Sequence, residues 1–314
     1  MNRNIIFGTV AVVIIAGGLL LYGKNSSMPV TMGTAVYCSS DGTLINTQPI
    51  QSHRSYCLKS NTDSLSLEPN TPVSYSFSII DDQGNVLKDF QAEHEKLLHL
   101  IVVRKDLNQF QHVHPELDQT TGQFTLSNLT FPTSGDYRIF ADFTPVGAQM
   151  GPDDMPLNVV LSEDVKVAGS YTPQPLGSTD RTKVVDGYTI TLSSNPKAVA
   201  AGMDMLSFAI SKDGKPVTDL QDYLGALGHS VILKENTLDY IHTHALETPT
   251  ATQNGTITFH VEFPSAGNYK AFVQFQDQGK VVTADFVIPV AQGTGGSMQG
   301  MDMNMPGMQM NMSH

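Results

Sequence analysis

His99, His112 and His114 recur as His229, His242 and His244, so a spacing of 13 and then 2 residues is written twice at an offset of 130. Self-similarity of this kind restricts the chain to folds assembled from two copies of one module. The same offset carries Gly84 onto Gly214 and Asp89 onto Asp219, while His94 falls opposite Leu224. After a two-residue insertion, Phe131, Pro132, Gly135 and Tyr137 of FPTSGDY align with Phe263, Pro264, Gly267 and Tyr269 of FPSAGNY. A chain of 314 residues holds two such modules plus flanking material, each module long enough for its own core.

Within the repeat the local text is that of strands. Val73, Tyr75, Phe77 and Ile79 share one parity in VSYSFSI, and DDQGN supplies a turn. Residues 97–104 are rich in valine and isoleucine, a short run around Phe110 ends at Pro115, and residues 124–129 and 137–143 complete the set. The second copy repeats the reading through TKVVDGYTITLSS, MLSFAIS, GHSVILK, YIHTH, TITFHVEF and NYKAFVQF. No segment carries a sustained helical stripe, so the pattern predicts an all-β chain of two tandem antiparallel β-sandwiches. Pro173, Pro175 and Gly177 mark residues 163–180 as the linker. The expected boundaries are a first sandwich over 69–170 and a second over 171–291.

Residues 5–23 are apolar and uncharged, with Arg3 before them and Lys24 after. This is about the minimum length for a membrane helix, and it also resembles a secretory signal. Segment 1–27 is therefore expected to be an uncleaved anchor, or a removed signal yielding a secreted form; either puts the body on the periplasmic or extracellular side. In that compartment the two cysteines of the lead-in 28–68, Cys38 and Cys57, read as a disulfide. The net charge of -12 gives no electrostatic reason to bind nucleic acid and mildly favours cations.

The histidines carry the chemistry. Residues two apart on a strand face the same way, so His112 and His114 can present both imidazoles to one point, as can His242 and His244. His99 or His229 on a neighbouring strand would add a third nitrogen. Such sets suit copper, with zinc as the alternative. Asp142 is a candidate oxygen ligand at the first site; the repeat places Gln274 there, a poorer ligand, so the first site is expected to be the stronger. His94 is unique to the first copy. The bland alternative is exposed His-x-His pairs copied by duplication without a role. No paired carboxylates, phosphate loop or nucleophile elbow occurs, which makes an enzyme the minority reading; a metal-dependent hydrolase or redox enzyme using an open histidine site is the remaining alternative of that class.

From Gln292 the composition changes. After a GTGGS spacer, Met298, Met301, Met303, Met305, Met308, Met310 and Met312 account for seven of the fourteen methionines, and His314 ends the chain. Tail 292–314 cannot bury a core and reads as disordered when free. Thioethers are soft ligands suited to monovalent copper, and partner contact is the other use of methionine.

The stretches HLIVVRKDLNQFQHVHPE with FPTSGDYRIFADFTP, and GHSVILKENTLDYIHTHA with FPSAGNYKAFVQF, resemble the repeated regions of secreted or membrane-anchored bacterial proteins among heavy-metal resistance and copper-handling factors. The resemblance covers residues 70–290 and implies immunoglobulin-like domains. The second copy lacks the proline after His244 and the acid at Gln274. The combined expectation is a membrane-tethered protein that buffers or delivers copper, as Cu+ at the tail and Cu+ or Cu2+ at the histidines. Its partners would be metal ions and a membrane copper transporter or metallochaperone. The competing reading is a surface interaction or assembly protein with structural histidines.

Overall fold

A computed structural model describes residues 56–148, 157–194, 203–245 and 254–292, with the side chains of Met203, His242 and His244 left out. Segment 1–27, Cys38 and the methionine tail with His314 lie outside the described residues. No helix among the described residues is long and apolar enough to cross a membrane.

The first repeat forms β1 (Tyr56–Ser60), β2 (Val73–Asp81), β3 (Phe90–Gln91), β4 (His99–Arg104), β5 (Phe110–Val113), β6 (Glu116–Asp118), β7 (Gln123–Leu129), β8 (Gly135–Pro145) and β9 (Val159–Val167). They pair antiparallel as one sheet in the order β1-β2-β7-β6, and a second in the order β3-β8-β4-β5 with β9 also on β8. The alternation in VSYSFSI sends Tyr75, Phe77 and Ile79 into the core, where they meet Phe124, Leu100, Val102, Tyr137 and Ile139 from both sheets. This is the strand partition of an immunoglobulin domain, four strands facing the hairpin-linked remainder.

The second repeat forms β10 (Thr182–Val185), β11 (Tyr188–Leu192), β12 (Met203–Lys212), β13 (Lys215–Pro216), β14 (His229–Lys234), β15 (Tyr240–His242), β16 (His244–Ala245), β17 (Thr256–Glu262), β18 (Gly267–Asp277) and β19 (Lys280–Val290). Its sheets run β10-β11-β12-β17-β16 and β15-β14-β18-β19. The FP-turns explain why both copies close alike. Tyr137 and Tyr269 enter β8 and β18 fully buried, and their hydroxyls donate back to the carbonyls of Thr133 and Ser265, at 2.9 Å and 2.8 Å. That is the tyrosine corner of immunoglobulin-like sandwiches.

Two boundaries differ from the sequence reading. The first sandwich starts inside the expected lead-in, because β1 pairs with β2 and Tyr56, Cys57 and Leu67 are buried. Cys57 is disulfide-bonded. The final strand of the first sandwich runs to Val167, so the linker is shorter than 163–180; Val165 and Val167 belong to the core.

All six residues of β4 are buried, as are five of six in β14, because these strands are covered on both faces. Leu100 and Val102 point into their own sandwich, while Ile101 and Val103 meet Val231, Leu233, Phe272 and Val287 of the other repeat. Four sheets are thus stacked, with the β4 and β14 sheets back to back. The Phe110 and Phe272 rings stack across the seam at 4.1 Å, and Phe140 meets Tyr240 at 5.3 Å. These are the same two positions exchanged between repeats, so the interface is a pseudo-twofold. The linker is docked too: Leu176 joins the interface cluster, and the Gln174 amide donates to Asp106, which Arg104 grips through two nitrogens at 2.9 Å and 2.8 Å.

Candidate metal centre

Strand parity places the histidines at this interface. His99 shares the outer face of β4 with Ile101 and Val103, and its register partner on β8 is Asp142. On β5, His112 pairs with Ile101, so it stands on the same face as Phe110. His114 follows one step past the end of β5, on the same parity. Three residues remote in sequence therefore converge: His99 Nδ1 lies 2.9 Å from His112 Nε2 and 3.1 Å from His114 Nε2. The three ligand atoms all lie within 4.8 Å of one another, forming a group that could hold a metal ion.

The far nitrogens fix what the near ones can do. His99 Nε2 stands 3.1 Å from the Glu93 carbonyl oxygen, which only accepts, so Nε2 carries a proton and Nδ1 is turned toward the other two rings. His112 Nδ1 stands 2.7 Å from Gln274 Oε1 of the second repeat, whose amide nitrogen lies 3.1 Å from Thr283 Oγ1. In this orientation the amide oxygen accepts from His112 Nδ1, which leaves the lone pair of the neutral ring on Nε2. His99 Nδ1 and His112 Nε2 stand within hydrogen-bond distance at 2.9 Å. A cation there would replace that contact with two bonds, and the carbonyl and amide behind the rings are the kind of outer partners that orient metal-bound imidazoles.

Protonation is a poor substitute. Burial, followed by His99, pushes His112 down to about 4. Burial and the neighbouring rings of His112 and His99 push His114 down to about 2. Both rings are thus neutral and ligand-ready at physiological pH. Nitrogens bound tetrahedrally to a metal at about 2.0–2.1 Å stand roughly 3.4 Å apart, so the rings at 2.9 and 3.1 Å would separate by a few tenths of an ångström to admit an ion.

The remaining sequence-predicted residues distribute as follows. Asp142 is buried beside the group, and its carboxylate accepts from Asn158 at 2.6 Å and from the Tyr240 hydroxyl at 2.8 Å. It is a charge partner across the seam and lies outside the ligand group. His229 Nε2 donates to the Tyr223 carbonyl at 2.8 Å, as His99 does to Glu93, and its ring lies 4.6 Å from His94 of the first repeat. Burial and then His94 push His229 down to about 3. The backbone puts His242 and His244 on strands of different sheets, His242 in register with Val231 and His244 with His260. The side chains of His242 and His244 lie outside what is described, and with them the expected grouping with His229; among the described residues the histidines His94, His99, His112, His114 and His229 gather where the outer faces of the two repeats meet. A cavity of about 20 Å³, lined by His94, His99, His112, Asp142, His229 and Tyr240 among others, lies there and is large enough for one water-sized occupant.

Gln274 and the carbonyl of Glu93 were not legible as functional. Gln274 looks like a lost ligand until the docking of the repeats is known. The available signal was the unbroken apolar run in residues 100–103 and 231–233, which strict alternation would have interrupted had one face been wet.

No curated protein matches the chain. Among solved structures it is similar to a DUF4426 family protein from Pseudomonas aeruginosa PAO1, at 10% identity over 36% of this chain and 94% of that one, with a TM-score of 0.27. The filamin domain of Lin-41 matches at 10% identity over 36% and 99%, with a TM-score of 0.25. A marsupial T cell receptor matches at 10% identity over 75% and 97%, with a TM-score of 0.24. The fold assignment rests on the strand order and the tyrosine corners. A family match spans residues 56–151 and 183–292, which takes in most of both sandwiches, and the chain belongs to that family, DUF8832, a domain of unknown function.

Proposed function

We propose that this protein binds copper outside the cytoplasm, holding monovalent copper between His99, His112 and His114. The observation that carries the reading is the convergence of three ring nitrogens, with His99 Nδ1 2.9 Å from His112 Nε2 and 3.1 Å from His114 Nε2. The donor set is three imidazoles in a mostly buried seam, two of them, His112 and His114, kept neutral by burial, with one buried carboxylate, Asp142, beside them. A single positive charge is easier to place there than a double one, because an uncompensated charge in a poorly solvated site is costly. Zinc or divalent copper is the variation within this reading. The apolar segment 5–23 would anchor the protein, and the seven tail methionines with His314 would collect monovalent copper and pass it to the histidines or to a membrane transporter or metallochaperone.

Anaerobic titration of monovalent copper against a chromogenic chelator tests this, with silver and zinc as competitors. The wild type should hold an equivalent that His112→Ala/His114→Ala loses, with copper and silver preferred over zinc; identical retention by the two proteins would overturn the reading. Removing residues 293–314 should slow uptake and leave that equivalent in place.

The tandem immunoglobulin-like fold by itself suggests a surface interaction or assembly role. The β4 and β14 faces are consumed in docking the repeats, so a partner would meet the outer sheets, where Met205 is 51% exposed and Val184 is 74% exposed. Binding of such a partner would be indifferent to metal.

A further inference from the structure

The sheet of the second sandwich that carries β12, β17 and β16 contributes nothing to the interface cluster between the repeats. Its strand parity sends Leu206, Phe208, Phe259 and Val261 into the core, so the alternate positions face outward. Met205 and His260 are two of these, directly opposite each other in the β12–β17 register; Met205 is 51% exposed and His260 is exposed as well. On the other side of His260 its register partner is His244 of β16, and the next residue, Ala245, lies opposite Phe259 and packs against the core. Three adjacent strands therefore place a methionine and two histidines in one cross-strand row.

Directly opposite residues on one face of a sheet have Cβ atoms about 4.5–5.5 Å apart. The next pair along the same face shows what that spacing allows here: the hydroxyl oxygens of Ser207 and Thr258 lie 2.9 Å apart. Met205 and His260 have longer side chains, and neither is committed elsewhere. The His260 ring has no hydrogen-bond or ion-pair partner among the described residues, and Met205 belongs to none of the core clusters. Methionine in a folded domain ordinarily fills gaps in the core; Met203 and Met205 are the only methionines among the described residues, and Met205 faces solvent. The run Gly-Met-Asp-Met at 202–205 is written again at 300–303, within the methionine tail. The same thioether spacing thus occurs once in the tail and once on a strand, beside imidazoles.

We propose that Met205 and His260, with His244 at the adjoining register position, form a solvent-facing site for a soft monovalent cation, copper or silver. A thioether beside imidazole favours such an ion over zinc, whose usual ligands are imidazole, thiolate and carboxylate. An ion on this open face exchanges with solution more readily than one in the buried seam. The site shares no residue with His99, His112 and His114, so it stands or falls apart from the triad.

Full-length protein with carbon-13 methionine methyl groups is titrated with silver nitrate, and the Met205 methyl signal is identified by its disappearance in Met205→Leu. That signal should move as silver is added. The movement should be lost in His260→Thr and should need more silver in His244→Thr, threonine keeping the strand propensity at both positions. Zinc should leave the signal where it is. A Met205 signal that stays put while the tail methyls respond overturns the site, as does a movement that His260→Thr leaves intact or that zinc reproduces. In His112→Ala/His114→Ala the movement should persist; its loss there would make Met205 a reporter of the triad and would also overturn the proposal. A triad variant that holds as much copper as the wild type, with the Met205 movement intact, would instead sink the triad reading and leave this site standing.

Discussion

The two repeats share strand order, tyrosine corner and turn geometry, but differ where they touch. The first has His94, Glu95 and Asp142 where the second has Leu224, Gly225 and Gln274. Across the pseudo-twofold these differences are complementary. Gln274 cannot serve its own repeat as an anionic ligand, but it accepts the Nδ1–H of His112 from the first. Tyr240 of the second donates to Asp142 of the first, while Phe110 in the position of Tyr240 has no hydroxyl to give. A symmetric dimer of modules would build two equal sites; joined in one chain, the copies are free to diverge, and the second supplies groups that hold His112 and Asp142 of the first.

Acid should disturb this asymmetric cluster most. His112, His229 and His114 are depressed from 6.5 to about 4, 3 and 2, so below pH 6.5 the unfolded chain takes up protons that the fold refuses. Their contribution is intact above about 6.5 and declines as the pH falls, levelling only as each folded value is reached. Melting temperature measured from pH 7.5 to 4.5 should fall steeply in the wild type and less in His112→Ala/His114→Ala; parallel curves would break the link to the first repeat's rings.

The apolar seam should respond symmetrically. Phe272 and Phe140 occupy matching places, each 4% exposed in the interface cluster, so either alanine variant should cost about 3–5 kcal/mol in urea unfolding. Unequal costs would show that the closer Phe110–Phe272 stack outweighs the pseudo-symmetry. Gln274→Leu sharpens the comparison at the metal centre. It removes the acceptor behind His112, and copper affinity should fall about 10–100-fold, the usual effect of losing such an outer partner; unchanged affinity would reduce Gln274 to packing. Smallest is the tyrosine corner. Tyr137→Phe and Tyr269→Phe each lose one hydroxyl bond and should cost about 1 kcal/mol, alike in both repeats, by chemical denaturation.

Much of this was readable in the chain. The parity of Tyr75, Phe77 and Ile79 and the repeated FP-turns dictate sandwiches, and the preserved histidine spacing points to the triad, because period-two alternation and register bring His99, His112 and His114 to one face. What stayed hidden is the contact between repeats. Which face of β4 meets which face of β14 depends on complementary shape, and no periodicity encodes that His94 lies over His229 or that Gln274 reaches His112. The early start at Tyr56 was obscured because YCLKS is short and sits beside the cysteine-bearing lead-in rather than in a clear alternating run.

The central claim is that the near nitrogens of His99 and His112 are bare and face one point. Nitrogen-15 NMR of the imidazoles reads this directly, since protonated, bare and metal-bound nitrogens resonate apart. At neutral pH the account predicts a proton on His99 Nε2 and on His112 Nδ1, and, on adding monovalent copper, a shift confined to His99 Nδ1, His112 Nε2 and His114 Nε2 within the triad. A proton on His99 Nδ1 or His112 Nε2, undisturbed by the metal, would contradict it.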